Sequence, residues 1–307
     1  MLVRIYHTFA TTCLLLIAVF SPTYADSTHV LVSIKPLHSL ISHITEGISQ
    51  PDLLLSQQQS AHHFQLRPSQ KRMINQADVF FYSSDNIEGF IPALKDSTEN
   101  IQFIQLASTP GIKTLPARSF HSHTYQDTHH NRHADKNIDG HIWLSIENTI
   151  LFSRYATDTL SRIDPQHATA YRKNLAILVL KLEKLRKDNQ ELLNTIKDEP
   201  LLIYHDAYQY FERENTLNRS HFITTGPEHT LGIRRIKALR QLIKTENIRC
   251  IFYEPPAIPP LLNTLAEDMP VKFAPLDPAG SQIPAGRRHY FELMRQTALT
   301  LYDCLKH

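Results

Sequence analysis

The chain has 307 residues, 42% of them hydrophobic and 20% charged, and its 32 basic side chains nearly balance 30 acidic ones. This composition excludes a mainly disordered chain, and the length exceeds what one hydrophobic core usually takes, so we expect two lobes. The near-neutral charge, without a basic stripe, argues against nucleic acid as a partner. The unusual feature is the 18 histidines, because neutral imidazole binds borderline metals and titrates near neutrality.

The first 25 residues have the pattern of a secretory signal peptide. Arg4 is the only charged residue before Asp26, an apolar run covers residues 10–20, and small residues precede the site after Ala25. The run is shorter than the roughly 20 apolar residues that span a bilayer. We therefore expect cleavage after Ala25, with an uncleaved anchor as the alternative.

Between residues 29 and 110, strand-like and helix-like segments alternate. The strand-like runs are HVLVSIKPL, DVFFYSS and NIQFIQLAS, and the helix-like runs are LHSLISHITEG, SQKRMINQA and IEGFIPALKD. β-branched and aromatic runs indicate strands, whereas apolar spacings of three and four indicate helices. This rhythm predicts parallel βα units rather than a sandwich or a bundle.

A histidine-rich loop, residues 116–139, interrupts this pattern. It has no apolar period and contains five histidines, with two acidic residues among or beside them: His121, His123, His129, His130 and His133, and Asp127 and Asp135. Connections of this length are usually functional or disordered, and we expect a mobile loop. Its metal sites would be weak, because binding must order the backbone at a cost of roughly 1–2 kcal/mol per residue. A zinc-capturing role and an inert solvated linker both stay open.

One long amphipathic helix is predicted over residues 165–198. Apolar residues recur there at spacings of three and four, namely Tyr171, Leu175, Leu178, Leu182, Leu185, Leu192 and Ile196. The run is only about three to four heptads long, the minimum that argues for a coiled coil. We therefore expect the helix to pack on its own chain, and the protein to be a monomer.

The second half repeats the strand–helix alternation, with strand-like runs LLIYHDAY, HFITT, CIFYE and VKFAPLD. The sequence thus predicts an α/β fold of two lobes of parallel βα units joined by one long rigid helix. The predicted organisation is a signal peptide over 1–25, an N-terminal lobe over 26–164, the linking helix over 165–198 and a C-terminal lobe over 199–307. Ligands of such sheets bind at the carboxyl ends of the strands, which places a site in the cleft between the lobes.

Cleavage after residue 25 would remove Cys13 and leave Cys250 and Cys304. In an exported protein, two cysteines are most simply a disulfide. A pair of buried free thiols is the alternative.

Three histidines lie at segment boundaries and are candidate metal ligands. His62 lies in SAHHFQLRPS, His141 in HIWLS and His205 in LLIYHDAY. Three imidazoles make a tetrahedral zinc site with one position left over, for which Asp277 in APLDPAG or a water is a candidate. Spacing alone does not separate these residues from ordinary buried or surface side chains.

Taken together, the motifs resemble one family. The segments SIKPL, HHFQLRPS, HIWLS, YHDAYQYFE, FYEPP and LDPAG, in this order over nearly the whole mature chain, resemble the periplasmic zinc-binding proteins of bacterial zinc ABC importers, the ZnuA type. The resemblance implies zinc ligands His62, His141 and His205, with Asp277 close to the metal. It also implies a two-lobed fold with a linking helix, a disulfide between Cys250 and Cys304, and a histidine-rich loop before HIWLS.

One position departs from the family pattern. Some zinc members have an acidic ligand just before the first histidine, where this chain has Ala61, so Asp277 or a water must complete the shell. His63 is an alternative to His62 by adjacency. We expect Asp206 and Glu254 to support the ligands or to have a structural role rather than to bind the metal.

The resulting functional hypothesis is a non-enzymatic periplasmic receptor that carries Zn²⁺ to an ABC permease. Three neutral imidazoles favour zinc over manganese, which prefers carboxylate and water. A manganese or iron receptor of the same fold is the first alternative. A secreted zinc hydrolase is the second, although no general base stands clearly beside the ligands.

Overall fold

The computed structural model describes residues 28–55, 66–98, 100–118, 138–224 and 232–306. The predicted signal peptide, His62, His63 and the five histidines of the loop lie outside these ranges. Within the ranges given, no helix is both long and apolar enough to cross a membrane.

The N-terminal lobe is built on a four-stranded parallel sheet with the order β2-β1-β3-β4. Its elements are β1 (Val30–Val32), α1 (Lys35–Ile44), β2 (Asp52–Leu53), α2 (Pro68–Gln76), β3 (Val79–Tyr82), α3 (Ile91–Lys95) and β4 (Gln102–Gln105). The first strand is shorter than the run HVLVSIKPL suggested. Helix α1 already begins at Lys35, because Pro36 fits the first turn of a helix and cannot donate to a sheet.

Two helices lead from this lobe to the next. Helix α4 (Ile146–Ile163) ends at Asp164, and α5 (Ala168–Leu193) follows a short 3₁₀ turn that begins at Pro165. Helix α5 is the predicted joining helix, and a second 3₁₀ turn extends it to Ile196.

The C-terminal lobe repeats the same strand arrangement with the order β6-β5-β7-β8, again all parallel. Its elements are β5 (Leu202–His205), α6 (Gln209–Glu214), β6 (His221–Thr224), α7 (Ile233–Thr245), β7 (Cys250–Tyr253), α8 (Pro260–Ala266), β8 (Lys272–Pro275) and α9 (His289–Leu305). The two sheets and the long joining helix confirm the predicted fold class. The predicted disulfide is present and ties the start of β7 to the end of α9 through Cys250 and Cys304.

One apolar core runs through both lobes. It joins one face of each sheet to α1, α4, α5 and α9, and includes Phe81, Tyr171, Phe252 and Tyr290. Two smaller clusters cover the other faces, one under α2 and α3 and one under α7 and α8. The burial of both faces explains why the strands are nearly continuous apolar runs.

Hydrogen bonds also join the two lobes, in addition to the connection through α5. The Lys35 ammonium donates to the carbonyls of Ser281 (2.8 Å) and Ile283 (3.1 Å), and the Ser39 hydroxyl donates to the carbonyl of Arg287 (2.7 Å). Helix α1 of one lobe therefore contacts the segment before α9 of the other. The lobes are joined by packed and hydrogen-bonded contacts as well as by the chain connection.

Candidate metal centre

Two of the predicted ligands, one from each half of the chain, lie together between the lobes. His205 is the last residue of β5, and His141 directly precedes a 3₁₀ turn over Ile142–Leu144. Their ring centroids are 5.0 Å apart and the ring planes meet at 77°. Both residues are buried. At this separation two imidazoles can share one ion that lies about 2.0–2.1 Å from each coordinating nitrogen.

Asp139 orients the first of these rings. Its Oδ1 lies 2.7 Å from Nδ1 of His141 and accepts the backbone N–H of His141 at 3.0 Å. Burial alone would raise the pKa of Asp139, but the charge of His141 and its hydrogen bonds hold that pKa below its usual value. A carboxylate on Nδ1 favours the tautomer whose lone pair is on Nε2, the form that binds metal.

Glu254 does the same for the second ring. It follows the last residue of β7, and its Oε2 lies 3.2 Å from Nδ1 of His205. Each histidine thus has a carboxylate on Nδ1, one from the residue two positions before it and one from the residue that follows a neighbouring strand. This carboxylate–imidazole pairing is the usual support of metal-binding histidines.

Asp277 lies in the turn after β8. Its Oδ1 accepts the backbone N–H groups of Ala279 and Gly280, both at 2.9 Å, and its Oδ2 accepts that of Ser281 at 2.5 Å. These bonds fix the carboxylate against the turn. Because each carboxylate oxygen has two lone pairs, Oδ2 retains acceptor capacity for a cation.

Trp143 connects the His141 segment to the Asp277 turn. Its indole N–H donates to the carbonyl of Pro278 at 2.8 Å, and its own carbonyl accepts the hydroxyl of Tyr290 at 2.8 Å. The segments bearing His141 and Asp277 are therefore joined across the lobes by a buried side chain.

Gly140 has no room for a side chain. A Cβ there would lie 2.5 Å from Cγ1 of Ile87 and 2.5 Å from Oγ of Ser84. The carbonyl of Gly140 also accepts the hydroxyl of Ser83 at 3.0 Å. Glycine is thus required for His141 to lie this close to the end of β3.

Tyr208 adds a buried hydroxyl beside the second histidine. Its Oη has no hydrogen-bond partner among the described residues. Burial raises the pKa of this phenol well above its usual value, and the charges of Asp277 and Glu254 raise it further. A cavity of about 10 Å³, the size of roughly one water, lies among Tyr208, His205 and Glu254.

The structure brings together part of the predicted ligand set. His141 and His205 are neighbours, whereas His62, its alternative His63 and the loop histidines lie outside the described ranges. Among the residues that the structure describes, no group of three or more His, Cys, Asp or Glu side chains is arranged to hold a metal. A three-histidine site would thus need a ligand from the undescribed segments, where His62 lies.

The sequence reasoning missed several supporting residues. One is Arg118, which forms an ion pair with Asp206. Asp139, Gly140 and Tyr208 were not singled out. Asp139 could have been found from its position two residues before a candidate ligand, whereas nothing in the sequence pattern indicates the partner of Asp206.

Comparison with known proteins gives one consistent family. Residues 30–304 match the family model described as ZnuA, zinc-uptake complex component A, periplasmic. The high-affinity zinc uptake system protein ZnuA of Brucella abortus (strain 2308) is 31% identical over 304 residues, which cover 90% of this chain and 91% of that protein.

Solved structures share the fold. A crystal structure of ZnuA has a TM-score of 0.76 at 18% identity and covers 92% of this chain and 100% of that one. The binding protein FpvC of P. aeruginosa, in complex with Ni²⁺, also has a TM-score of 0.76, at 20% identity, covering 92% and 97%. These similarities establish the architecture, which is common to proteins that hold different metals.

Proposed function

The chain belongs to the ZnuA family of periplasmic zinc-uptake components, and from this premise we propose that it is a high-affinity zinc receptor that passes Zn²⁺ to an ABC permease. Family membership makes it a metal-binding component of an uptake system and not an enzyme, so the hydrolase alternative is dropped. We further propose export by cleavage after Ala25, consistent with a periplasmic family.

The observation that carries the proposal is the pair of carboxylate-oriented imidazoles, His141 and His205, from the two halves of the chain. A third imidazole from His62 would complete a nitrogen-rich set that suits zinc. We propose that Asp277 or a water fills the fourth position. The buried carboxylate of Asp139 and the partly exposed carboxylate of Glu254 balance the charge of the cation without binding it.

The alternative with a specific observation behind it is another divalent transition metal. FpvC, which was crystallised with Ni²⁺, has the same fold. Chemistry distinguishes the candidates, because manganese prefers oxygen ligands and Ni²⁺ prefers square-planar or octahedral sites, whereas three imidazoles and one further ligand make a tetrahedral site.

Metal competition on the purified mature chain tests the proposal. We expect calorimetry and native mass spectrometry to show one tightly held Zn²⁺ per chain, retained in the presence of equal Mn²⁺, Fe²⁺ or Ni²⁺. If the chain preferentially retains one of these competitors, that metal and not zinc is its cargo. A chain that holds no divalent metal tightly would refute the receptor function.

We also propose that the histidine-rich loop captures zinc weakly near the site. Deleting residues 121–133 should leave the tight site intact and lower the total zinc bound per chain at saturating metal. An unchanged total stoichiometry would instead identify the segment as a linker.

A further inference from the structure

Arg118 is buried between carboxylates of the C-terminal lobe. Its side chain and that of Asp206 are each 5% exposed. Its Nε lies 2.8 Å and 2.9 Å from the two oxygens of Asp206, and Nη2 bonds to the same carboxylate. Nη1 donates to Oε2 of Glu212 at 3.1 Å, and the guanidinium lies 5.5 Å from the ring centroid of Phe222.

This cluster is charged and buried. Burial alone would lower the pKa of Arg118, but the hydrogen bonds and charges of Asp206 and Glu212 raise it above its usual value. Removing one partner of a buried ion pair leaves the other charge uncompensated. The guanidinium fork also bonds both oxygens of one carboxylate, which a lysine ammonium does not reproduce.

The position of the cluster links the two ligand histidines. We call residues 115–118 and 138–141 the stem, because Pro116 and Ile138 form an antiparallel bridge. Arg118 ends the first strip of the stem and His141 ends the second. On the other side of the ion pair, Asp206 directly follows His205 at the end of β5.

Further hydrogen bonds fix the stem to α6 of the C-terminal lobe, the helix that carries Glu212. The hydroxyl of Tyr210, on α6, accepts the backbone N–H of Leu115 and donates to the carbonyl of Asp139, both at 2.8 Å. Gln209, also on α6, donates to the carbonyl of Pro116 at 3.1 Å. The His141 side of the site is thus tied to the His205 side at several points, of which Arg118 is the charged one.

We propose that Arg118 is a positioning residue that cross-links the His141 and His205 segments and thereby slows the release of bound zinc. The inference rests on the proposed receptor function. For zinc to leave, the two imidazoles must separate or turn away from the ion. Asp206 is the neighbour of His205, and Arg118 lies on the strip of the stem that pairs with the strip of His141. The Arg118–Asp206 pair therefore resists this movement.

Stopped-flow transfer of zinc from the loaded mature protein to excess chelator tests the proposal. We compare wild type with Arg118→Gln, Arg118→Lys and a control, Arg249→Gln, which removes an arginine paired with Glu199 away from the site. We expect Arg118→Gln to release zinc about tenfold faster or more, the range seen when support of a metal ligand is lost. Arg118→Lys should be intermediate, and Arg249→Gln should match wild type.

A second measurement separates positioning from general loss of stability. In cobalt-substituted protein, Arg118→Gln should shift the ligand-field absorption bands, whereas Arg249→Gln should not, even if both lower the melting temperature. Release by Arg118→Gln at the wild-type rate overturns the proposal. If Arg118→Gln does not fold, release of zinc by Arg118→Lys at the wild-type rate overturns the proposal instead. Failure of the wild type itself to retain zinc would refute the receptor function.

Discussion

The imidazoles of His141 and His205 lie with their ring centroids 5.0 Å apart, although one belongs to the loop before α4 and the other ends a strand of the second sheet. Each has a carboxylate on Nδ1, from Asp139 and Glu254 respectively. The arrangement places two oriented nitrogen donors where the carboxyl ends of parallel strands meet. It gives the family assignment a physical basis at the level of side chains.

Asp139→Asn should weaken zinc binding by about 10–100-fold, because a neutral amide oxygen is a weaker acceptor than a carboxylate and holds the proton on Nδ1 of His141 less firmly. Calorimetry in competition with a chelator measures the change. Asp164→Asn is the matched control, since Asp164 makes the same 2.7 Å bond to Nδ1 of His167 away from the site. Equal zinc affinity in Asp139→Asn and wild type would remove Asp139 from the site.

Gly140→Ala should destabilise the fold by about 1–3 kcal/mol, the usual cost of overpacking, and also weaken zinc binding. The added methyl would meet Ile87 and Ser84 at 2.5 Å and push His141 away from the end of β3. The control is Gly89→Ala, whose methyl would have its nearest neighbour at 4.0 Å. Denaturant unfolding and zinc titration of both variants check the expectation, and identical behaviour of the two would contradict it.

Glu88 should make stability depend on pH. Burial raises the pKa of this carboxyl from 4.5 to about 7, against hydrogen bonds from Ser33, Ser84 and Ser83 that lower it. The folded chain therefore binds the proton more readily than the unfolded chain, so the contribution of Glu88 to stability falls as pH rises from about 4.5 to 7 and is constant above that.

Over this window the loss amounts to about 3 kcal/mol. It is measured as the difference between wild type and Glu88→Gln in urea unfolding of the metal-free protein at several pH values. The difference isolates Glu88 from His43, whose pKa burial lowers to about 4 and which therefore acts in the opposite direction. A difference that does not vary between pH 5 and 7 would show that Glu88 keeps an ordinary pKa.

The disulfide should stabilise the fold without shaping the site. Cys250 is the first residue of β7, at the opposite end of the strand from Glu254, so the double change to alanine should leave zinc affinity unaltered. The bond closes a loop with a sequence separation of 54, for which chain entropy predicts a loss of up to about 4 kcal/mol in unfolding free energy. Denaturant unfolding measures the loss of stability, and zinc titration measures the affinity. A large loss of zinc affinity would contradict the expectation that the disulfide does not shape the site.

Much of the fold could be predicted because its signals are local. Three of these signals depend only on neighbouring residues. They are the βα alternation, the apolar stripe from Tyr171 to Ile196, and the helix break at Asp164-Pro165. Element bounds were less accurate, as at β1, where Pro36 ends the extended run early. The segment HIWLS forms a 3₁₀ turn, for which its short apolar run gives no distinctive period.

The site was predictable only in part, and mainly through family resemblance. The proposed ligands are remote in the sequence, so no spacing rule brings His141 to His205. The pairing of Arg118 with Asp206 and Glu212 joins an irregular strip to another lobe. Such a contact depends on tertiary packing and leaves no periodic signal, which is why the sequence pattern does not indicate the partner of Asp206.

The most direct test of the central claim is the number of imidazoles on the bound ion. X-ray absorption of the zinc-loaded mature chain should show zinc in four-coordinate nitrogen and oxygen ligation with three histidines. Separate changes of His62, His141 and His205 to alanine should each remove one of them. Three imidazoles lost one by one in this series support the account, whereas a site with no histidine, or one unchanged in the His141→Ala and His205→Ala proteins, would contradict it.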